Sequence, residues 1–408
     1  MQQRRPRIMQ VVSNLEIGGA QEVVRTLAQN LRELGYPTVV ATFKDGPLRR
    51  GIEELGIPVA ILPDRRHSVV ALPLFMQEML GLRRALRELV QKHQIDVVQT
   101  HLLMSLDFLV LTLRARSGPL VFWTVQNANF TLRKDHLPGH TWLLGPKRGA
   151  FRLLYRAALP WLSGFIAVSE DVKTAIVNEI GPRAANKTTV ICNSVDVRRY
   201  QVNGDRAAVR QALGLPEHAQ VMAVVATFKT QKGHRYLIEA AAPVIARHPG
   251  LHILFIGDGE LREQLQAQTR AAGLEQHIHF LGSRHDVPEL LAASDSFVLP
   301  SLWEGLSMAL VEAMAAGLPV IATDVSGTNQ VMLNGETGLL VPPGNPQALT
   351  EAMLALLATP EQARLMGAAG RRRVEHFFSA RKQAEDHLAL YRREQGRGMV
   401  RMARSWEG

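Results

Sequence analysis

Short apolar segments alternate with amphipathic helical segments along the whole chain, and this alternation limits the fold more than any other feature. Strands of a parallel sheet are buried on both faces, so they read as nearly continuous apolar runs joined by helices. The first half has such runs at residues 7–12, 38–42, 59–62, 97–100, 121–125 and 165–168. The second half has them at residues 221–226, 252–256, 278–281, 296–299 and 320–323. The sequence therefore predicts an α/β fold with two Rossmann-like, doubly wound domains.

The length of the chain agrees with two domains, because 408 residues are enough for two cores of ordinary size. We place the first domain at residues 1–195 and the second at residues 196–378. A further helix is predicted at residues 379–394. Residues 395–408 are basic and contain glycine, which predicts a mobile tail.

The positive charge of the chain lies in its first half. Residues 1–200 hold 27 Lys and Arg against 16 Asp and Glu, whereas residues 201–408 hold 20 against 21. This bias favours an anionic partner for the first domain, such as a membrane surface or a lipid phosphate, and no recognition motif for nucleic acid accompanies it. Cys192 is the one cysteine, and no apolar run reaches 18 residues. We expect a cytoplasmic protein with peripheral association at the inner membrane face.

Residues 300–327, PSLWEGLSMALVEAMAAGLPVIATDVSG, read as the end of a strand, a loop, a helix and the next strand. Glu304 lies in the loop, and Glu312 lies eight positions later, inside the helix. A helix N-terminus carries partial positive charge and free N–H donors, so it suits a bound phosphate or sugar. An ordinary strand–helix unit with two surface glutamates is the alternative. The first free N–H groups of this helix are expected near Leu306, Ser307 and Met308.

This stretch closely resembles the E-x7-E signature of retaining nucleotide-sugar glycosyltransferases of family four. The frame around the two glutamates (Pro-Ser, Glu-Gly, Glu-Ala, Ala-x-Gly-x-Pro-Val) makes the resemblance specific. The resemblance implies the glycosyltransferase-B architecture, in which two Rossmann-like domains face a cleft and bind the acceptor and the donor, respectively. It also implies that the helix at residues 379–394 crosses back to the N-terminal domain.

The resemblance further implies roles for these residues. Glu312 would hold the ribose hydroxyls of the donor, and Glu304 would lie near the transferred sugar without being a required nucleophile. The acceptor hydroxyl would attack from the face of the leaving group, with retention. The co-substrate would be a nucleotide-diphosphate sugar, expected to be UDP-linked, with no cofactor and no metal. Sugar hydroxyls and phosphate oxygens would be contacted at Gly305, Leu306, Ser307 and Met308.

Other loops match the donor site of the family, with one departure. Lys232-Gly233 matches a Lys-Gly pair whose lysine neutralises the diphosphate, but Thr227 stands where an arginine is expected. Lys229 is a candidate to replace that charge, with a solvated turn as the alternative. The remaining donor-site candidates are Asp258, Arg284 and the glycines of the loop after the first strand, Gly18 and Gly19. For Asp258 the alternative is an acidic residue of a turn and helix start, and for the two glycines it is a tight strand–helix turn.

The first domain departs from the family in the loop after residues 121–125. Gln126 stands where the family commonly has a histidine that contacts donor sugar or acceptor, so hydrogen bonding is kept and titration is lost. Together with Glu304 and Lys232, Gln126 is a candidate for a catalytic role. Asn127 and His101 are further acceptor candidates, although a lone histidine is more often structural.

Basic and aromatic residues are interleaved at residues 129–165, which is typical of a helix on an anionic bilayer. A core helix with a solvated basic side is an equally open interpretation for any one residue. The candidates for acceptor or membrane contact are Arg133, Lys134, Lys147, Arg148 and Arg152.

The hypothesis is thus a retaining hexosyltransferase that moves a sugar to a hydroxyl of a glycolipid, lipid-linked saccharide or polysaccharide precursor. Two alternatives use the same fold. One is a nucleotide-sugar-binding protein without transferase activity, favoured by Gln126 and Thr227. The other is a nucleotide-sugar 2-epimerase.

Overall fold

The computed structural model describes residues 4–16, 18–63, 72–101, 105–114, 118–126, 144–201, 205–325 and 327–404. The chain forms two compact units. Unit one comprises Met1–Asn193 together with Ala380–Gly408, and unit two comprises Ser194–Ser379.

Unit one is built on a seven-stranded parallel sheet. Its strands are β1 (Ile8–Asn14), β2 (Thr38–Lys44), β3 (Val59–Ile61), β4 (Val97–His101), β5 (Leu120–Val125), β6 (Gly164–Ala167) and β7 (Thr188–Val190). They lie in the order β3-β2-β1-β4-β5-β6-β7. The connecting helices are α1 (Gly19–Glu33), α2 (Leu48–Glu54), α3 (Leu72–His93), α4 (Ser105–Leu111), α5 (Leu144–Ala158) and α6 (Glu170–Ile180), with a 3-10 helix at Pro182–Lys187.

Unit two repeats the plan with a six-stranded parallel sheet. Its strands are β8 (Gln220–Val225), β9 (Leu251–Ile256), β10 (Ile278–Gly282), β11 (Ser296–Leu299), β12 (Val320–Thr323) and β13 (Gly338–Val341), in the order β10-β9-β8-β11-β12-β13. Its helices are α7 (Arg206–Ala212), α8 (His234–Arg247), α9 (Arg262–Ala271), α10 (Val287–Ala292), α11 (Met308–Ala315), α12 (Thr328–Val331), α13 (Pro346–Ala358) and α14 (Pro360–Phe377). Short 3-10 helices lie at Val197–Tyr200 and Thr230–Lys232.

In both sheets the strand order reverses direction beside the first strand, β1 in unit one and β8 in unit two. Because the strands of each sheet pair in parallel, their carboxyl ends meet at one edge of that sheet. Ligands of such sheets bind outside that edge, near the reversal point. The loops after β1, β8 and β11 are therefore placed to carry a site, and the loop after β5 lies one strand further along the same edge.

The core of unit two shows why these segments become strands. Alternate residues of β8 and β9, such as Met222, Val224 and Phe255, are buried in one cluster that α8 and α13 close. Leu237 of α8 and Met353 of α13 belong to that cluster. Full burial of such a side chain is worth about 1.5–3 kcal/mol, which disfavours any shift of the strand register.

The predicted two-domain α/β fold is confirmed, but two of its strands were not predicted from the sequence. These are β7 and β13, which lie at one edge of each sheet and have three and four residues. Segments this short, TTV and GLLV, carry too little periodicity to be separated from loops.

The last helix, α15 (Ala380–Arg404), belongs to unit one, as the resemblance implied. Its buried face packs on the sheet and on α1. The ring of Tyr391 lies 5.3 Å from that of Phe122 between centroids, and Leu388 joins the cluster of Ile8 and Leu27.

The expected end of this helix at residue 394 was wrong, because α15 continues to Arg404. Gly396 favoured a break in the helix, yet one glycine costs a helix only about 1 kcal/mol relative to alanine. Among the described residues, no helix combines the length and the apolar composition needed to cross a bilayer.

Candidate active site

Lys232 and Glu304 are distant in sequence and meet in the loops beyond the carboxyl ends of β8 and β11. The Nζ atom of Lys232 lies 2.6 Å from Oε1 of Glu304. The hydroxyl of Ser301 donates a second hydrogen bond, of 2.7 Å, to the same oxygen. The side chain of Glu304 is 6% exposed and that of Lys232 is 19% exposed, so the ion pair is largely withdrawn from water. Charge-assisted hydrogen bonds of this kind hold both groups in one geometry.

Backbone contacts bring these two loops together. Gly233 has a φ of 66°, and a Cβ atom built there would lie 2.0 Å from the carbonyl oxygen of Pro300. The N–H of Leu302 donates to the carbonyl of Gln231 at 2.7 Å, and the side-chain amide of Gln231 donates to the carbonyl of Trp303 at 2.8 Å. Gly233 is therefore needed both for its left-handed conformation and for the close approach.

The loop after β11 leads directly into α11. Ser307 precedes the helix in an extended conformation, and its buried hydroxyl has no hydrogen-bond partner in the part of the chain that the structure describes. A second loop supports this one, because a Cβ atom at Gly327 (φ 87°) would lie 2.0 Å from the carbonyl oxygen of Gly305. The helix begins at Met308, with Ser307 as its N-cap and Leu306 in the preceding loop, and the contact at Gly327 fixes the entry of the chain into α11.

Glu312 lies one helical turn after Met308, on the same side of α11. The Cα–Cβ bond of a helical residue tilts toward the N-terminus of the helix, so the side chain of Glu312 leaves the backbone in the direction of the start of α11. The residue is half-buried. The two glutamates of the predicted site therefore belong to one loop and the helix that follows it.

The loop after β8 rests on the loop after β9. The N–H of Phe228 donates to the carbonyl of Asp258 at 2.9 Å, and a Cβ atom at Gly259 would lie 2.8 Å from the backbone nitrogen of Phe228. Gly257 and Gly259 have φ values of 146° and 158°, which glycine tolerates best. The carboxylate of Asp258 accepts from the N–H of Gly259 and from Arg262, both at 2.8 Å. The structure therefore gives Asp258 a part in shaping this loop.

Three other donor candidates of unit two lie at the surface. Thr227 and Lys229 are exposed in the loop after β8. Arg284, after β10, forms a bidentate ion pair with Asp286 at 2.7 and 2.5 Å, which raises the pKa of the guanidinium. The charge of Arg284 is thus shared with a neighbouring carboxylate.

His234 was missed by the sequence reasoning, although it directly follows Lys232-Gly233. Its ring lies 5.0 Å from that of Phe228 and 5.1 Å from that of Phe255, and neither ring nitrogen has a hydrogen-bond partner among the described residues. Burial lowers the pKa of His234 to about 4, and the charge of Lys232 adds to the shift. A neutral histidine therefore packs beneath the lysine loop.

In unit one, the loop after β1 is held by side-chain amides. The amide of Gln21 donates to Oδ1 of Asn14 at 2.9 Å. Gly18 has an extended backbone with a φ of −172°, and a Cβ atom there would meet only the Oε1 atom of Gln21 within 3 Å. Gly19 begins α1 and is exposed. The conformation of Gly18 is thus open to other residues, and its neighbour is the end of a flexible side chain.

Gln126 lies directly after β5, at the carboxyl end of the sheet. Its Oε1 atom accepts a hydrogen bond of 2.7 Å from Nδ2 of Asn193. Its Nε2 atom is buried, without a hydrogen-bond partner among the described residues. The side chain is therefore fixed by Asn193, a residue that the sequence reasoning did not include in the site.

His101 ends β4 and is 1% exposed. Its Nε2 atom lies 2.7 Å from Oε1 of Gln10, to which it donates. Burial lowers the pKa of His101 to about 3, and the nearby His387 adds to the shift. The structure thus places His101 in the core as a neutral hydrogen-bonding group, which agrees with the structural alternative.

Arg152 has an internal partner. Its Nε atom lies 2.5 Å from Oε2 of Glu179, and this hydrogen bond joins α5 to α6 and raises the pKa of the guanidinium. Of the remaining basic candidates, Lys147 and Arg148 belong to α5. The other three candidates lie outside the described residues: Asn127, Arg133 and Lys134.

The architecture of two parallel Rossmann-like sheets is shared with solved glycosyltransferases. HepE of Anabaena, solved in complex with UDP and glucose, is 22% identical and superposes with a TM-score of 0.77 over 94% of this chain and 100% of its own. A glycosyltransferase from Rickettsia africae is 18% identical, with a TM-score of 0.78 over 96% and 99%. The fold is therefore that of the GT-B class.

Two family models identify the family within this class. Residues 17–199 match the model described as Glycosyltransferase Family 4, and residues 205–373 match the one described as Glycosyl transferases group 1. The two matches together cover most of the chain, which therefore belongs to this family of glycosyltransferases.

Two curated relatives match over most of their length. A UDP-Gal:alpha-D-GlcNAc-diphosphoundecaprenol alpha-1,3-galactosyltransferase of Escherichia coli is 27% identical over 75% of this chain and 78% of its own length. A D-inositol 3-phosphate glycosyltransferase of Corynebacterium urealyticum is 25% identical over 85% and 84%.

Proposed function

We propose that this glycosyltransferase takes a hexose from a UDP-linked sugar and transfers it, with retention, to a hydroxyl of a glycolipid, lipid-linked saccharide or polysaccharide precursor. The observation that carries the proposal is the largely buried ion pair between Lys232 and Glu304, which lies beside the N-terminus of α11. The name of the Escherichia coli relative supports a UDP sugar and a lipid-linked acceptor, and the UDP complex of HepE supports the nucleotide.

In this proposal, Lys232 neutralises the diphosphate of the donor. A lysine ammonium is a compact charge that binds phosphate oxygens well, and the partial positive charge at the start of α11 adds to it. Glu304 holds the ammonium in position from one side and lies beside the transferred sugar. Glu312 binds the ribose hydroxyls, because a carboxylate can accept two hydrogen bonds at once.

The chemical step requires no protein nucleophile. The acceptor oxygen forms a bond to the anomeric carbon, while the bond from that carbon to the diphosphate oxygen breaks. Retention follows because the acceptor oxygen attacks from the face that the diphosphate leaves, and the acceptor proton passes to the leaving phosphate oxygen on that face. Lys232 stabilises the negative charge that develops on the leaving group, a type of contribution that is often the largest in catalysis. The nucleotide sugar is the only co-substrate in this scheme, without a cofactor or a metal ion, so EDTA should leave the rate unchanged.

The test is to incubate the protein with a panel of nucleotide sugars and lipid-linked acceptors, and to measure nucleotide release. NMR of the product gives its anomeric configuration. Glu312→Gln should weaken donor binding, whereas Glu351→Gln, an exposed glutamate of α13, should not. An inverted product would refute the retaining mechanism, and the absence of nucleotide binding would refute the donor site.

One observation favours slow transfer as a second candidate. Thr227 stands where the family has an arginine, and Lys229 nearby is exposed. With one charge fewer, the protein would bind the donor and transfer its sugar poorly. Thr227→Arg should then raise the rate of transfer. A 2-epimerase is excluded if the sugar of the product keeps its configuration at C2.

We further propose peripheral contact of unit one with an anionic membrane. Leu153 and Leu154 of α5 and Trp161 after it are 68%, 51% and 64% exposed, which suits the interfacial region of a bilayer. Arg152 is bound to Glu179, so these apolar residues are expected to contribute more than its charge.

This surface is tested by co-sedimentation with vesicles of phosphatidylglycerol. Binding should be weakened by Trp161→Ser and unaffected by Phe377→Ser, which removes an exposed aromatic residue of unit two. Equal binding of both variants would refute the surface.

A further inference from the structure

A cavity of about 730 Å³ opens at the amino-terminal edge of the unit-one sheet. Leu120 and Gly164, the first residues of β5 and β6, line it together with α15 residues between positions 390 and 397. Gln126 follows the last residue of β5, so the candidate acceptor site lies at the opposite edge of the same sheet. The cavity is therefore separate from the carboxyl-end loops, and its volume is in the range of small-molecule sites.

Basic groups dominate the lining. Four cations line the cavity, against one carboxylate among its described lining residues, that of Glu394. The four are Arg114, Lys187, Arg393 and Arg397. These five side chains together carry a net positive charge, which favours an anionic ligand.

The two arginines of α15 are held in place by that carboxylate. The Nε atom of Arg393 lies 3.3 Å and the Nη1 atom of Arg397 lies 2.8 Å from Oε1 of Glu394. Arg393 also donates to Oγ1 of Thr189 at 3.0 Å. A guanidinium has five N–H donors in a fixed plane, so both arginines can keep these bonds and still bind two oxygens of a ligand. Their side chains are 51% and 62% exposed, so a ligand can reach them.

A second wall is built from the loop before β6 and the end of the 3-10 helix before β7. The Nζ atom of Lys187 donates to the carbonyls of Leu159 and Leu162 at 2.6 and 2.5 Å. The guanidinium of Arg114 is bound to the hydroxyl of Ser163. Both cations are thus held in place by the fold. They add positive charge to the cavity lining, to which the two arginines of α15 also belong.

The cavity also has apolar lining. Leu120 lines the cavity as a half-buried side chain, whereas Leu162 and Leu390 are almost fully buried, at 1% and 4% exposed. A ligand that filled the cavity would bury an apolar part chiefly against Leu120, at about 25 cal/mol per Å² of apolar surface. A small inorganic anion would leave this apolar lining unused.

We propose that this cavity binds a phosphate ester with an apolar substituent, whose phosphate contacts Arg393 and Arg397 and whose apolar part lies on Leu120. Two sources offer this chemistry, a phospholipid of a bilayer and a soluble phosphate ester. The proposal goes beyond the transferase function, because it assigns a second ligand to a different edge of the sheet.

The experiment uses the full chain and isothermal titration with three probes. The first is dihexanoyl phosphatidic acid below its micelle concentration, the second is glycerol 3-phosphate, and the third is vesicles of phosphatidylcholine with phosphatidic acid. Every titration is repeated with saturating UDP, which occupies a donor site and leaves the cavity open. The test variant is Arg393→Gln/Arg397→Gln. The control is Arg381→Gln/Lys382→Gln, which removes the same charge from the exposed first turns of α15.

We expect the soluble lipid to bind at least about tenfold more tightly than glycerol 3-phosphate, because only the lipid uses the apolar lining. The test variant should weaken this binding at least about tenfold, and the control should leave it unchanged. Vesicle binding that the test variant weakens identifies the bilayer as a source. Vesicle binding that is equal in the test variant and the wild type, with binding of the soluble lipid lost in the test variant, identifies a soluble ester.

Four results would overturn the proposal. They are absence of binding, displacement by UDP, equal affinity for the first two probes, and an equal loss of binding in the control variant. Circular dichroism of both variants excludes loss of the fold as the cause of a weaker signal.

Discussion

The side-chain contacts of the carboxyl-end loops differ between the two units. In unit two, backbone packs against backbone at Gly233 and Gly327, and a lysine–carboxylate pair closes the arrangement. In unit one, backbone also approaches backbone, because a Cβ atom at Gly46 would lie 2.3 Å from the carbonyl oxygen of Leu15. The side-chain contacts of its described loops, however, come from neutral amides, of Gln21 on Asn14 and of Asn193 on Gln126. Fixed charge in a rigid loop suits a diphosphate, which must be stabilised as it leaves. Neutral donors and acceptors suit sugar hydroxyls, and on this ground we propose the donor site for unit two and the acceptor site for unit one.

The largest effect is expected when the charge of unit two is removed. Lys232→Met should lower kcat/KM by at least about 100-fold, because the diphosphate loses its ammonium. Lys229→Met removes an exposed charge from the same loop and should cost less than about tenfold. Initial rates with saturating acceptor, measured on both variants, check this difference.

Lys232→Met also leaves the buried carboxylate of Glu304 without its ammonium partner, which is expected to destabilise the fold. A loss of stability must therefore be distinguished from a loss of catalysis. The double variant Lys232→Met/Glu304→Gln removes both charges. It should regain thermal stability relative to the single variant and remain inactive. Activity within about tenfold of the wild type, in either folded variant, would contradict the assigned role of Lys232.

The second effect concerns how rigidly each loop is packed. Gly233→Ala introduces a Cβ atom 2.0 Å from a backbone carbonyl at a φ of 66°, so both the contact and the conformation oppose it. We expect the free energy of unfolding of unit two to fall by about 2 kcal/mol or more. Gly18→Ala meets only the end of the Gln21 side chain in an extended backbone, and should change unit one by less than about 1 kcal/mol.

Urea unfolding of each glycine variant, with hydrogen exchange as the readout for each unit, measures the two changes in the free energy of unfolding. Equal losses in the two units would show that the two loops are packed alike.

The third effect is the response of the two cores to acid. Burial lowers the pKa of His101 and His387 in unit one to about 3 and about 4, and that of His234 in unit two to about 4. These values lie below the ordinary histidine value of about 6.5, so the unfolded chain binds protons first and stability falls as the pH drops below that value. At pH 5 each buried histidine should cost about 2 kcal/mol relative to pH 7.

Replacement of His234 by phenylalanine should flatten this dependence in unit two, because its ring already packs beside Phe228 and Phe255. His218→Phe, at an exposed position of the same unit, is the control. Unfolding is measured from pH 7 to pH 4.5. An unchanged slope in His234→Phe would show that this histidine does not take up its proton on unfolding.

The sequence predicts the arrangement of the candidate residues better in unit two than in unit one, for a physical reason. Glu304, Glu312 and the start of α11 lie within one strand–loop–helix unit, where local pattern and helix geometry determine their relation. The pairing of Lys232 with Glu304, which are 72 positions apart, depends instead on the parallel neighbours β8 and β11.

Contacts without a local pattern could not be predicted. Asn193 reaches Gln126 across 67 positions, and His387 of α15 reaches Gln99 of β4 across 288. Burial is equally nonlocal: His101 reads as an accessible strand-end histidine until the neighbours that surround it are in place. Residues 395–404 are likewise helical, although the glycines that they contain disfavour a helix.

The smallest effect is expected at the amide pair of unit one. Gln126→Leu removes the acceptor of the Asn193 Nδ2 group, which should cost about 1 kcal/mol of stability. If Gln126 contacts the acceptor sugar, transfer should fall while hydrolysis of the nucleotide sugar by water stays the same, because the proposed donor site lies in unit two. Gln126→Glu keeps an oxygen for Asn193 and should preserve stability, so it separates the fold from the chemistry. The measurement is the KM of each Gln126 variant for the acceptor and for the donor. A rise in the acceptor KM alone supports an acceptor site in unit one and a donor site in unit two. A rise in the donor KM alone contradicts this assignment.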